Sequence, residues 1–147
     1  MNINAKYFGQ ISYKKEETIH MTSGLFGFES HTEYLPIPFH GDNDSMISLQ
    51  SLEDESLSFI LLNPFGIFPD YNPLLSDADL EELGASSDAD ISYYVTCAVH
   101  DSVAESTVNL RAPIAINALN RKAKQIILEQ PEYTFRHQLG DAIKKEG

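Results

Sequence analysis

The sequence predicts an all-β fold, a small β-barrel-like or sandwich single domain with one or two short helices. Three observations carry that expectation. Apolar residues recur mostly with period two, as in half-buried strands. Helical spacing is confined to two places, against eight to ten short β-like segments. No internal repeat, low-complexity tract or long Pro/Gly/Ser linker divides the 147 residues, so 1–147 is read as one domain, large enough to bury a core without staples.

The segments follow in chain order. Thr18–Thr22 alternates, and Glu33–Phe39 is rich in β-formers, but Pro36 and Pro38 restrict it to an edge or an irregular strand. Between them, Ser23–Phe28 reads as a turn in which Gly24 and Gly27 take positive φ while Leu25, Phe26 and Phe28 pack on the body. Met46–Leu52 and Ser56–Leu62 flank the acidic Glu53-Asp54-Glu55, which suggests a hairpin with a charged connection. Asn63–Asn72 sets Phe65, Ile67, Phe68 and Tyr71 among prolines; it is either a loop folded over the core or an aromatic protein-binding loop.

Ser76–Gly84 predicts a short helix, with Ser76 as N-cap, acids in the first turn and Gly84 as its stop. Ile91–Val99 is the clearest strand, placing Ile91, Tyr93, Val95, Cys97 and Val99 on one face. Ser106–Leu110, Ile114–Asn117 and Gln125–Leu128 complete the β pattern, with a polar turn around Asn120–Lys122. Phe135–Lys145 is a weaker helical segment, and about 138–147 is expected to be frayed or helical. In 107–117, Asn109 and Asn117 flank Pro113, and their amides suit backbone groups left open where the proline interrupts a ladder.

Composition removes several classes of function. Cys97 is the lone cysteine, so neither an internal disulfide nor a cysteine-based zinc site can form within one chain. Its place on an apolar strand face suits a buried thiol rather than a nucleophile. The first residues lack the pattern of a signal peptide, and no apolar run reaches the roughly 20 residues that span a bilayer, so a cytoplasmic protein without a membrane partner is expected. His20, His31, His40, His100 and His137 show no metal-ligand spacing, and no G-x-S-x-G elbow or P-loop occurs. The residues therefore supply no catalytic set, no metal site and no cofactor. A ligand-binding or hydrolytic barrel using Tyr93, Tyr94 and His100 stands as the alternative.

Charge is more telling. The formal net charge is −12, and no Lys or Arg falls between Lys15 and Arg111, a stretch that holds 18 of the 22 acids. Such a surface either keeps the protein soluble or steers a basic protein toward it. Direct binding to nucleic-acid phosphates needs the opposite sign.

Four motifs together resemble the FliW family. They are Gly24-Leu-Phe-Gly-Phe-Glu29; Leu49-Gln-Ser-Leu-Glu-Asp54, with Gln50; Phe59 to Pro64 followed by Phe68-Pro-Asp-Tyr71; and Thr107-Val-Asn-Leu-Arg-Ala-Pro-Ile-Ala-Ile-Asn117, with Gln125 beyond. The resemblance runs from about residue 8 to 137. It implies a bacterial flagellar assembly factor without enzymatic activity that binds flagellin and also CsrA, a basic RNA-binding repressor of translation. Flagellin would hold the protein until it is secreted; the freed protein would then bind CsrA away from its RNA groove and relieve repression of flagellin synthesis. A monomer is expected when the protein is free. The residues expected at partner surfaces are Glu53, Asp54, Pro69, Asp70 and Tyr71, with Glu81 and Glu82 on the short helix. Gly24, Gly27, Gln50, Asn109, Pro113 and Asn117 are expected to be structural.

Overall fold

The computed structural model describes residues 1–41, 43–99, 101–102 and 105–139. The strands are β1 (Asn2–Ala5), β2 (Gly9–Ser12), β3 (Ile19–Met21), β4 (Glu33–His40), β5 (Asn43–Ser51), β6 (Ser58–Leu62), β7 (Ile91–Ala98), β8 (Thr107–Val108), β9 (Ile114–Asn117), β10 (Lys122–Gln125) and β11 (His137–Gln138). One helix, α1 (Asp77–Glu82), lies between β6 and β7. β1 and β2 form a separate hairpin.

The main sheet runs β11-β8-β7-β6-β5-β4-β3-β10-β9, and an additional β7–β9 pairing closes it. The ring is therefore β3, β4, β5, β6, β7, β9 and β10: a seven-stranded barrel, with β8 and β11 branching from β7. Among the described residues, its only parallel contact is β10 against β3. Closure removes the exposed edges an open sheet would present.

Every barrel strand sends side chains inward. Ile19, Met21, Tyr34, Ile47, Leu49, Phe59, Leu61, Tyr94, Ile114, Ile116 and Ala123 meet there, with Leu25 from the turn after β3. A barrel of this size is filled by side chains. The Tyr34 hydroxyl is buried among them without a hydrogen-bond partner, and burial first, then the charge of Glu53, pushes its pKa up to about 12.

The outside of the barrel is apolar too. Leu62, Val95, Val108, Leu110, Ile126 and Leu128 lie under the segment 63–75, and Ile91, Tyr93 and Ala115 lie under α1. β7 is thus most deeply buried on its outer face. The Ile91, Tyr93, Val95 set is the outer face of the barrel, with Tyr94 pointing inward.

Several expected boundaries move. β4 is the irregular strand its prolines suggest: it pairs with β5 along its length with a register shift between Pro38 and His40, and with β3 only at Glu33–Tyr34. Pro36 and Pro38 fit because they lie beyond the end of β3, where the missing N–H faces no ladder partner. The last barrel strand is Lys122–Gln125, not Gln125–Leu128, because Arg121 takes φ 64° and turns the chain three residues earlier. Of Ser106–Leu110, Thr107–Val108 alone is strand, and Val99 falls past the end of β7 and is exposed. In place of the start of a helix at Phe135, His137–Gln138 pairs with β8; residues 140–147 of that segment lie outside the described residues.

Candidate protein-binding surfaces

The short helix is built as its sequence dictates. Ser76 Oγ accepts from the Asp79 backbone N–H at 3.1 Å, Asp79 answers with a capping-box contact, and Gly84 leaves the helix at φ 67°. Side chains from β9, β10 and the turn between them then fix it to the barrel. Asn117 Nδ2 and Asn120 Nδ2 each donate to the Leu83 carbonyl at 2.9 Å, which caps the helix C-terminus. Lys124 Nζ lies 2.7 Å from Asp79 Oδ1 and 2.5 Å from Glu82 Oε2, and Glu82 also accepts from the hydroxyls of Thr22 and Ser23 at 3.0 Å.

These contacts set the local pKa values. At Asp79, burial works upward, but hydrogen bonds from Lys124 and Ser76 outweigh it and hold the carboxyl below its usual range. The Lys124 hydrogen bond leads the same lowering at Glu82. Lys124 itself is raised, its two carboxylates outweighing the effect of burial. Glu82 is accordingly a tether of the helix, whereas Glu81 is exposed on it.

The acidic β5–β6 turn is equally constrained. Gln50 is 0% exposed; its two amide N–H groups are shared among the carbonyls of Ser51, Glu55 and Leu57 at 3.0, 3.1 and 3.2 Å. Its oxygen accepts from the Lys6 backbone N–H at 2.9 Å, joining the N-terminal hairpin to the turn. Glu53 Oε1 accepts from the backbone N–H groups of Glu33 at 2.9 Å and Thr32 at 2.8 Å, and those bonds lower its pKa. Asp54 is lowered by the Ser56 side chain and then its backbone N–H. Both carboxylates carry charge at the surface, yet both already hold the chain together.

Beyond the other end of β6, Asn63 Oδ1 accepts from the Phe65 N–H at 3.1 Å and starts a 3-10 turn, Pro64–Gly66. Tyr71 then anchors the loop: it is 5% exposed, donates its hydroxyl to the Leu110 carbonyl at 2.6 Å and packs edge-on against Tyr133 at 4.7 Å. Burial pushes its phenol well up. Tyr71 is therefore the pin that seats the exposed Pro69 and Asp70, not itself an exposed contact residue. The structure brings Asp70 and the helix acids to the outer wall that carries segment 63–75, while Glu53 and Asp54 occupy the opposite end of β6.

The signature residues sit in turns and corners, each with its own backbone geometry or hydrogen bonds. Gly24 has φ 72°, and a Cβ there would meet the Glu29 Cα at 2.5 Å. Gly27 has φ 85° in open space. Of the three aromatic or aliphatic residues in that turn, Leu25 is buried and Phe28 packs edge-on against Phe59 at 5.0 Å, as expected, while Phe26 is about half exposed. Asn109 Oδ1 accepts from the Ala112 N–H at 2.9 Å, closing the turn that leads into the buried Pro113. Gln125 crosses the same corner, donating to the Ala112 carbonyl and accepting from the Phe26 N–H, both at 3.0 Å. Asn117 departs from the expected corner-stitching role by reaching the helix instead; its oxygen also accepts from the Leu119 N–H.

Two depressions are open surface features. One, of about 810 Å³, holds the exposed pair His20–Glu33, 2.6 Å apart, beside Lys15 and Arg121. Another, of about 390 Å³, lies between Phe26, Phe59 and Phe135 over Gln125. Neither is an enclosed cavity with converging carboxylates. Tyr93 and Tyr94 lie on opposite faces of β7, and His100 is outside the described residues. Among the described residues, no group of three or more His, Cys, Asp or Glu is placed to hold a metal ion. No helix of the described residues is long and apolar enough to cross a membrane.

A closed barrel filled with side chains, its distinctive residues committed to turns and its exposed acids gathered on loops and a short helix, defines a small all-β scaffold with elaborated connections. Its relatives are flagellar assembly factors. The model of the family described as FliW protein matches residues 2–139. The chain is 35% identical over 144 residues to a flagellar assembly factor FliW of Shouchella clausii, covering 98% of each chain. It is 34% identical over 152 residues to one from Alkaliphilus metalliredigens, covering 99% of this chain and 90% of that one. A crystal structure of the flagellar assembly factor FliW superposes with a TM-score of 0.88 at 33% identity, over 95% of this chain and 96% of the other. The chain belongs to the FliW family.

Proposed function

We propose that this chain is a non-enzymatic, cytoplasmic flagellar assembly factor that works as a monomer by binding two proteins in turn. Flagellin occupies it while flagellin is in excess. Once released, it binds CsrA at a surface other than the RNA groove and lifts the repression of flagellin synthesis. The observation that carries the reading is electrostatic: a FliW-family barrel with no Lys or Arg between positions 15 and 111 presents an acidic surface to a basic client. It needs no cofactor and makes no direct contact with nucleic acid.

The test uses the full chain with purified CsrA and flagellin from the same bacterium. Calorimetry is expected to show binding to each alone and loss of CsrA binding when flagellin is added first. RNA bound to CsrA is expected to weaken the complex without competing for the same surface. Recovery of neither partner would overturn the reading, and strict competition with RNA would replace allosteric antagonism by mimicry.

A further inference from the structure

The β1–β2 hairpin has one covered edge and one open edge. Along β1, the Asn4 backbone N–H donates to Glu55 Oε2 at 2.8 Å and the Lys6 N–H to Gln50 Oε1 at 2.9 Å, which seals that edge against the β5–β6 turn. β2 pairs with β1 alone. Met1 and Tyr13 exchange backbone hydrogen bonds across the hairpin, so by alternation Ile3 and Ile11 are again a bonded pair, while Asn2–Ser12 and Asn4–Gln10 are not. Gln10 and Ser12 therefore turn their backbone N–H and C=O groups outward, where no backbone partner among the described residues meets them. Gly9–Ser12 carries neither the charge nor the proline that commonly blunts such an edge. Tyr7 and Phe8 pack on Phe39 of β4, with ring centroids 5.8 and 5.1 Å away, so the open edge is held firmly on the barrel.

The charge around this edge is opposite to that of the chain as a whole. The first fifteen residues hold Lys6, Lys14 and Lys15 and no Asp or Glu, against a formal net charge of −12. All three lysines are exposed, and no ion pair among the described residues reaches them. Of the acids that follow, Glu17 already accepts from the Lys14 backbone N–H at 2.8 Å. The two faces of the strand also differ. Gln10, Ser12 and Lys14, which is extended at φ −106° and ψ 152°, alternate onto one face, and the partly buried Ile11 and Tyr13 onto the other.

We infer that the outer edge of β2 takes an acidic, extended segment of a partner protein as a third strand. Its main chain bonds to Gln10 and Ser12, its carboxylates at alternate positions reach Lys14 and Lys15, and its intervening apolar side chains lie beside Ile11 and Tyr13. Charge selects this occupant. A second copy adding edge to edge through β2 would bring the same unpaired lysines together, whereas an acidic strand neutralises them. The contact lies apart from the acidic surface offered to CsrA and does not depend on it.

The probe is a labelled peptide of about ten residues with Glu and Val in alternation, long enough to cover the strand. It is titrated against the full chain beside two relatives, one with a central proline that breaks the ladder and one with Lys in place of Glu. The unbroken acidic peptide alone is expected to bind, and to slow hydrogen exchange at the Gln10 and Ser12 amides several-fold. Ser12→Pro removes one outward N–H and leaves Ile11 extended, as a following proline favours. Lys14→Glu/Lys15→Glu reverses the charge on an intact strand. Each variant is expected to bind about tenfold more weakly, and Arg111→Glu/Arg136→Glu, the same charge change beside β8 and β11, within about twofold of wild type. The lysine variant and the exchange measurement decide the matter should Ser12→Pro fold poorly. No binding by wild type, equal binding of the proline-broken peptide, or unchanged exchange at Gln10 and Ser12 overturns the inference. So does binding to phosphatidylserine vesicles in place of the peptide, which would make the hairpin a membrane contact.

Discussion

Gln50 shows how much a single buried amide can organise. Removing its N–H groups leaves the carbonyls of Glu55 and Leu57 without that donor, and removing its oxygen strands the Lys6 N–H. Gln50→Leu is expected to lower stability by about 2–3 kcal/mol in denaturant melts, the cost of unpaired buried groups. Gln50→Glu should be worse, since a carboxylate oxygen would face those carbonyls. Gly24 and Gly27 form a sharper pair because both have positive φ yet differ in space. Gly24→Ala must push against the Glu29 backbone and is expected to cost about 2 kcal/mol or more, while Gly27→Ala meets nothing within 4 Å and should cost about 1 kcal/mol. Equal losses in a thermal melt would show that the turn relaxes as a unit. The sequence makes the glycine turn and the Asn109 corner legible, since their partners are local. It hides the long-range roles, because Asn117 to Leu83 and Gln50 to Lys6 connect residues that only the closed barrel brings together.

Among the elements, α1 is the one whose position depends on charge. Its cap and stop are written in consecutive residues, so its existence is readable from Ser76, Asp79 and Gly84. Its docking is not, because Lys124, Asn117 and Asn120 come from two strands and the turn between them, far along the chain. Asp79 and Glu82 have lowered pKa values in the fold, so their contribution is complete above the ordinary carboxylate range and is lost as pH falls through the lower folded values. The melting temperature of wild type is expected to drop steeply below about pH 4. Lys124→Met should cost about 1–2 kcal/mol at neutral pH, between the values for exposed and buried pairs, and should flatten that acid limb. Lys124, whose pKa is raised, gives the opposite sign: its contribution persists through the ordinary lysine range and is lost only at higher pH. An unchanged acid limb in Lys124→Met would place the pH dependence elsewhere, with Glu53 as the next group to examine.

At the scale of the whole molecule, period-two patterning is enough to reveal a β protein, but barrel closure depends on pairings that leave no local mark. β7 illustrates why. Its buried face, Ile91, Tyr93 and Val95, lies outside the barrel beneath segment 63–75 and α1, while Tyr94 on the inward side is only partly buried, so alternation marks the wrong side as interior. The β1–β2 hairpin escapes notice because its residues are mostly exposed and its pairing is fixed by contacts such as Lys6 to Gln50. Net charge, by contrast, is fully legible, and it leads to a kinetic consequence. A formal charge of −12, with its cations confined to the two ends of the chain, gives a field that should accelerate encounter with a basic protein, CsrA in the proposed function. Raising ionic strength from about 50 to 500 mM shortens the Debye length about threefold. The association rate measured by stopped flow is therefore expected to fall about tenfold or more, while the dissociation rate changes much less. Asp70→Lys/Glu81→Lys should weaken the salt dependence of association, since it removes exposed acids from the outer surface. An association rate that ignores salt would mean that the acidic surface serves solubility and that encounter is governed by shape alone.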